Sequence, residues 1–191
     1  PVDVHDLGVD MLSASAHKFN GPKGVGFLYI RNGLKIMPYA DGGAQESGLR
    51  AGTENVAGIV GMAVALKNNC DALEGNARYV ARLESKLIDM LDSSNIEYTR
   101  NGGKSRLPGL LSVSFPRADG EAILHRLDLT GMCISTGSAC NSKSTEISHV
   151  LQAIQLKDSY AKGTIRISLG KYNTEGEVEA IFKALVKILR A

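Results

Sequence analysis

The chain reads Ser13-Ala-Ser-Ala-His-Lys-Phe-Asn-Gly-Pro-Lys-Gly24 between two stretches that are typical of short β-strands, residues 9–16 and 25–31. The Gly-Pro-Lys-Gly turn that ends this segment breaks regular structure, so the segment is predicted to connect the two strands. Further along, strand-like and helix-like stretches alternate, without an internal repeat or low-complexity tract. This alternation predicts an α/β fold.

Apolar periodicity predicts the remaining elements. Helices are predicted at 55–69 and 77–91, where apolar residues recur every three and four positions. Thr174 followed by Glu177 predicts a capping box that opens the last helix. A domain boundary is predicted near residue 70. The other predicted elements are strands at 110–115, 132–135 and 164–169 and helices at 120–129, 147–156 and 174–189.

Bulk composition indicates a globular, cytoplasmic protein. The chain has 191 residues, of which 43% are hydrophobic, so it can bury a core. A formal net charge of +2 with dispersed basic residues argues against a nucleic-acid or membrane surface. No apolar run approaches the ~20 residues that span a bilayer, and no signal-like stretch is present. Because the chain begins Pro-Val-Asp-Val without methionine, we expect that an N-terminal portion is missing.

The first candidate site is the segment that ends at Lys18. If the strand continued, alternation would place Ser13, Ser15 and His17 on one face, where their donors would suit a phosphate. A lysine that forms a Schiff base needs partial desolvation beside donor or cationic groups, and Lys18 fits that description better than Lys23. A solvated lysine after an edge strand is the alternative that this segment leaves open.

The second candidate site is a single thiol, Cys140. Its surroundings read Ser135-Thr-Gly-Ser-Ala-Cys-Asn-Ser-Lys-Ser-Thr145, in which six of eleven residues are Ser or Thr, and this composition predicts an exposed loop. An exposed thiol near a cation such as Lys143 can ionise and act as a nucleophile. Cys70 and Cys133 lie in a predicted helix and a predicted strand, so we expect buried, inert thiols there.

Two further segments are candidates for anion binding. Alternation in Thr164-Ile-Arg-Ile-Ser-Leu-Gly170 places Arg166 on the polar face of a strand, where a guanidinium can grip a carboxylate through two hydrogen bonds. A structural ion pair is the alternative. The Gly-rich loop from Gly42 to Asn55 leads into a helix, and its backbone amides together with Thr53 could bind an anion.

In order and spacing, these four segments resemble the motifs of the cysteine desulfurases that feed iron-sulfur and nitrogenase cluster assembly. The similarity covers essentially the whole chain, and its most specific element, Gly-Ser-Ala-Cys, is similar to the NifS/IscS-like class with a long cysteine loop. The resemblance implies a fold-type I pyridoxal-phosphate enzyme, a transferase. Residues 1–70 would then be the end of the large cofactor-binding domain, and 71–191 the small C-terminal α/β domain with the cysteine loop.

The resemblance also implies the roles of four residues at the cofactor, pyridoxal 5'-phosphate. Lys18 would bind it covalently and transfer protons. Ser15 and His17 would bind its phosphate. Thr53 would reach the phosphate of the partner subunit's cofactor, which implies a homodimer.

The substrate implied by the resemblance is L-cysteine. Arg166 would hold its carboxylate, and Cys140 would take its sulfur, giving L-alanine and an enzyme persulfide. An iron-sulfur scaffold protein would accept that sulfur, and Cys140 would contact iron transiently as a cluster ligand. Arg50 lies in a matching loop but receives no role.

The family's partner for the pyridine nitrogen, its ring-stacking histidine and its first phosphate-binding loop precede Ser-Ala-His-Lys and match nothing here. We therefore expect little or no activity from this chain alone. Two alternatives stay open. One is an inactive domain that retains scaffold binding or self-association. The other is a different pyridoxal-phosphate reaction, of a lyase or aminotransferase, which would need no Cys140.

Overall fold

The computed structural model describes residues 1–136 and 147–190. The chain divides into two compact units, Pro1–Leu73 and Glu74–Ala191. The assignment of these parts to a large and a small domain stays a prediction. Within the described ranges, no helix combines the length and apolar character that crossing a membrane requires.

The first unit contains the two strands predicted around the lysine segment. β1 (Met11–Ser15) pairs antiparallel with β2 (Gly26–Ile30). β1 ends at Ser15, and the next four residues form a 3₁₀ turn, Ala16–Phe19. His17 lies in that turn, so the prediction that it continues the strand face of Ser13 and Ser15 is wrong.

Helix α1 (Val56–Asp71) completes the first unit. Asn55 caps its N-terminus, because the Asn55 side chain accepts a hydrogen bond from Gly58 N at 3.1 Å. The helix is apolar on most of its circumference, yet Val56, Val60 and Val64 are exposed. Residues 1–73 are all described, and Ala16 is their only buried hydrophobic side chain. The first unit therefore lacks a core of its own and presents an apolar surface.

The described part of the second unit contains one sheet with helices on its apolar face. Its strands are β3 (Thr99–Arg100), β4 (Leu110–Ser114), β5 (Ser135–Thr136) and β6 (Thr164–Ser168). Its helices are α2 (Leu73–Asp92), α3 (Gly120–Asp128), α4 (His149–Ala153), α5 (Asp158–Ala161) and α6 (Glu175–Leu189). The four strands pair antiparallel in the order β3-β4-β6-β5. The buried core combines leucines of α2 with apolar residues of the two central strands and of α3 and α6.

Several predicted elements are confirmed, and some are displaced. The capping box of α6 is present, since Thr174 and Glu177 exchange side-chain-to-backbone hydrogen bonds. The strand predicted at 132–135 forms only at β5, and β3 and α5 were not predicted, because such short elements carry no measurable periodicity.

The buried thiols predicted at Cys70 and Cys133 are not found, because both residues are exposed. Cys70 lies on α1, whose apolar circumference is not covered within the first unit. Cys133 precedes β5 and lies outside any strand. The predicted burial is therefore wrong for both cysteines, because a helical or apolar sequence context does not by itself determine whether a side chain is covered.

Candidate functional site

The turn that carries Lys18 is fixed by backbone and side-chain hydrogen bonds. Gly21 N donates to Ala16 O at 2.8 Å and closes the turn. The Asn69 side chain of α1 donates to Phe19 O at 2.6 Å. A strand end and a helix thus hold the lysine-bearing turn from two sides.

Ser15, His17 and Lys18 lie within four consecutive residues and are all exposed. Their side chains make no hydrogen bond within the part of the chain that the structure describes, so their donors are free to bind an anion. The partial desolvation predicted for Lys18 is not found in this unit. It would have to come from a bound cofactor or from protein packed on this face.

Thr53 follows a closed loop. Tyr39 N donates to Leu49 O at 2.9 Å and Ala51 N donates to Ala40 O at 3.1 Å, which joins the two ends of the loop. Thr53 itself is exposed, and its side chain has no hydrogen-bond partner among the described residues. In the first unit, the predicted phosphate ligands Ser15, His17 and Thr53 are therefore all exposed, and their side chains have no hydrogen-bond partner among the described residues.

Arg166 lies on β6, the strand between β4 and β5. Its neighbours on the same sheet face are Ser112 on β4 and Ser135 on β5, the residues directly paired with it. Ile165 and Ile167 point to the opposite face and are buried, which confirms the predicted alternation.

The Arg166 guanidinium has donors without a partner among the described residues. Its Nε is buried and makes no hydrogen bond to residues 1–136 or 147–190, and the ion pairs of those residues do not include it. The structural ion pair considered as the alternative has no partner there. A guanidinium on a rigid strand, with donors that no described residue satisfies, is suited to a carboxylate ligand.

Sequence reasoning missed a hydroxyl cluster beside Arg166. Asn101 is only 9% exposed. Its Nδ2 donates to Ser112 Oγ at 3.0 Å and to Ser114 Oγ at 2.7 Å. Ser114 Oγ also lies 2.7 Å from Thr164 Oγ1. The alternation of Ser112 and Ser114 in β4 was the available signal for a polar sheet face.

Sequence reasoning also missed a buried carboxylate, Glu84 of α2. It is 8% exposed, forms an ion pair with Arg100 and accepts a hydrogen bond from Gly109 N at 2.5 Å. Gly109 has a φ of +81°, and a Cβ there would lie 2.2 Å from Val80 Cγ1. Glu84 therefore anchors β3 and the glycine turn that starts β4.

Cys140 and Lys143 lie outside the described residues, so the exposed thiol loop stays a prediction. The structure describes the two elements that bound this segment, β5 and α4. Among the described residues, no group of three or more His, Cys, Asp or Glu side chains is arranged to hold a metal ion.

Comparison with known proteins identifies the family. The family model described as "Aminotransferase class-V" matches residues 1–181. The cysteine desulfurase IscS of Dictyoglomus turgidum is 46% identical over 190 residues, which cover 99% of this chain and 48% of the relative. The cysteine desulfurase IscS of Clostridium botulinum strain Hall is 44% identical over 192 residues, again 99% and 48% of the two chains. The chain thus spans about half the length of the curated relatives it matches.

Solved structures agree with the sequence matches and confirm the predicted α/β fold. A "NifS-like protein" matches with a TM-score of 0.87 at 42% identity, and the match covers 100% of this chain and 49% of that protein's chain. A NifS-like protein from Rickettsia africae has a TM-score of 0.88 at 31% identity, with 100% and 50% covered. A protein titled "SspA in complex with cysteine" has a TM-score of 0.69 at 35% identity, with 91% and 47% covered.

Pyridoxal phosphate is the cofactor of class-V aminotransferases and cysteine desulfurases. The exposed hydroxyl, imidazole and amine of Ser15, His17 and Lys18 fit its phosphate and aldehyde groups in donor chemistry. The chain therefore belongs to the class-V aminotransferase family, and along its length it matches NifS/IscS-like cysteine desulfurases.

Proposed function

We propose that this chain functions as part of a cysteine desulfurase. The enzyme removes sulfur from L-cysteine and gives L-alanine and a persulfide on Cys140. The observation that carries the proposal is the fixed 3₁₀ turn at the end of β1. There Ser15, His17 and Lys18 present three donors that have no partner among the described residues. The similarity to curated desulfurases supports the same assignment.

Pyridoxal phosphate, when bound, supplies the electron sink for bond breaking in the substrate. Ser15 and His17 would donate hydrogen bonds to its phosphate. Lys18 Nζ would hold the cofactor and move a proton at the substrate. Burial of Lys18 by bound cofactor and covering protein would supply the desolvation that the first unit lacks.

Thr53 would donate to the phosphate of the cofactor in a partner subunit, so we propose a homodimer. The exposed apolar residues of α1, including Val60 and Val64, support an interface on the first unit. The same surface supports a second candidate for the chain studied alone, namely self-association without turnover. Sedimentation of the purified chain tests it, since a strictly monomeric chain would rule out self-association.

Arg166 would orient L-cysteine by two hydrogen bonds to its carboxylate. The Cys140 thiolate would then attack the substrate sulfur. A sulfur–sulfur bond forms, the carbon–sulfur bond of the substrate breaks, and the electron pair stays with the substrate carbon, which is protonated to give alanine. Transfer of the persulfide to a cytoplasmic iron-sulfur scaffold protein would follow, with Cys140 as a transient iron ligand.

The experiment that tests this proposal measures alanine released from L-cysteine by the protein expressed from its complete gene. Cys140→Ala should abolish alanine release, and the matched control Cys70→Ala should retain it. Undiminished turnover in Cys140→Ala would overturn the desulfurase proposal and favour a lyase or an aminotransferase. For the 191-residue chain assayed alone we predict little or no alanine, because the family's partner for the pyridine nitrogen and its ring-stacking histidine match nothing in this sequence.

A further inference from the structure

The loop before Thr53 contains strained backbone that the proposed function leaves unexplained. Glu46, with φ 49° and ψ 45°, and Ser47, with φ 57° and ψ 31°, are both left-handed, and Gly48 follows with φ 78°. Residues other than glycine disfavour this conformation, because their Cβ atom crowds the backbone. Such strain persists only where surrounding contacts enforce it, and it is concentrated at ligand sites.

The left-handed turn adjoins a pair of side chains that hold Gly52, the residue before Thr53. Gln45 Oε1 accepts a hydrogen bond from Gly52 N at 3.3 Å. Arg50 Nη1 donates to Gly52 O at 3.4 Å. Both backbone polar groups of Gly52 are thus bound by side chains of one loop, an arrangement that we call the Gly52 clamp.

The neighbouring glycines fit the Gly52 clamp. Gly52 has a φ of +104°, which only glycine adopts readily. A Cβ at Gly43 would lie 2.4 Å from Gln45 Oε1, so glycine at position 43 leaves room for the Gln45 side chain. Beyond Thr53, the cap formed by Asn55 fixes the start of α1. Thr53 is therefore held between two fixed points of the backbone.

We infer that Gln45 is a positioning residue for Thr53 and acts by fixing Gly52. The left-handed residues 46–48 lie between Gln45 and Gly52 in the chain, and the Gln45 side chain reaches back to Gly52 N. This inference rests on the proposed function, because it takes Thr53 as a ligand of the cofactor phosphate. Arg50, to which the sequence motif assigned no role, is the second member of the Gly52 clamp.

The test is the dissociation constant of pyridoxal phosphate for the protein expressed from its complete gene, measured by absorbance titration of the apoprotein. Gln45→Leu should weaken binding by about fivefold, the value that corresponds to one hydrogen bond of about 1 kcal/mol. Gln45→Glu retains an acceptor oxygen and should bind within about twofold of the native protein. Gly43→Ala should weaken binding as Gln45→Leu does, because its Cβ displaces Gln45. Gly103→Ala, whose Cβ would meet nothing within 4 Å, is the control.

A double-mutant cycle with Thr53→Val separates positioning from general structure. If Gln45 acts through Thr53, Gln45→Leu should have no further effect on affinity in the Thr53→Val background. Full additivity of the two losses, or native affinity in both Gln45→Leu and Gly43→Ala, would overturn the inference while the role of Thr53 survives. Native affinity in Thr53→Val would overturn the proposed role of Thr53 itself, and with it the inference.

Discussion

Replacing Glu84 by Gln should destabilise the second unit far more than the same change at Glu74 on the same helix. Glu84 is 8% exposed, and its two oxygens accept hydrogen bonds from Arg100 and from Gly109 N. Glutamine preserves the shape of the side chain but removes the negative charge. It also turns an NH₂ group toward one of the two donors.

The size of the effect follows from burial. Removing one partner of a buried ion pair costs about 3–5 kcal/mol, because the remaining charge is left uncompensated. The Arg100 side chain is 24% exposed, so water can partly solvate it, and we expect the low end of that range, about 3 kcal/mol. Glu74 pairs with Arg78 at 3.5 Å, and both side chains are largely exposed. Glu74→Gln should therefore cost less than about 0.5 kcal/mol.

The assay is urea unfolding followed by far-ultraviolet circular dichroism. The midpoint of the main transition should fall clearly in Glu84→Gln and stay near the native value in Glu74→Gln. Adding Arg100→Met to Glu84→Gln should recover part of the loss, because it removes the stranded cation. Equal midpoints for the two glutamine variants would refute the argument that Glu84 anchors β3 and β4.

Three further predictions concern substrate binding, packing and titration. In the protein expressed from its complete gene, Arg166→Gln should raise KM for L-cysteine about tenfold or more. The reason is that hydrogen bonds between charged groups contribute about 1.5–3 kcal/mol. An unchanged KM would contradict the proposal that Arg166 binds the substrate carboxylate. Gly163→Ala should lower the melting temperature and destabilise the protein by about 1–3 kcal/mol, because its Cβ would lie 2.0 Å from Phe115 O; a native melting temperature would show that the turn adapts freely. Burial, followed by the hydrogen bond to Asp92, raises the pKa of Tyr98 from 10.0 to about 12. The stability contributed by the neutral Tyr98 phenol should therefore be complete below pH 10 and be lost as pH rises through about 12. In an absorbance titration of the tyrosines, the component that ionises near pH 12 should be absent from Tyr98→Phe.

The parts of the fold that follow from local sequence could be predicted. The strands around Lys18 and the capping box of α6 depend on alternation and on side chains three residues apart, and both are present. The polar position of Arg166 follows from the alternation that buries Ile165 and Ile167. Such features are fixed within a few residues, so a single sequence reports them.

The features that were missed depend on distant partners. Glu84 looks like an interruption of the apolar face of α2 until Arg100 and Gly109, far along the chain, supply its donors. His17 lies in a turn to which Asn69, fifty residues further along the chain than Phe19, donates a hydrogen bond at Phe19 O. The exposure of Cys70 depends on what packs around α1, which helical periodicity does not report.

The central claim is that Lys18 holds pyridoxal phosphate, and the visible absorption of the cofactor bound to the protein tests it most directly. The spectrum is recorded for the protein expressed from its complete gene, for Lys18→Ala, and for the control Lys23→Ala in the adjoining turn. We predict a protein-bound visible band that Lys18→Ala abolishes and Lys23→Ala preserves. An unchanged band in Lys18→Ala would contradict the claim.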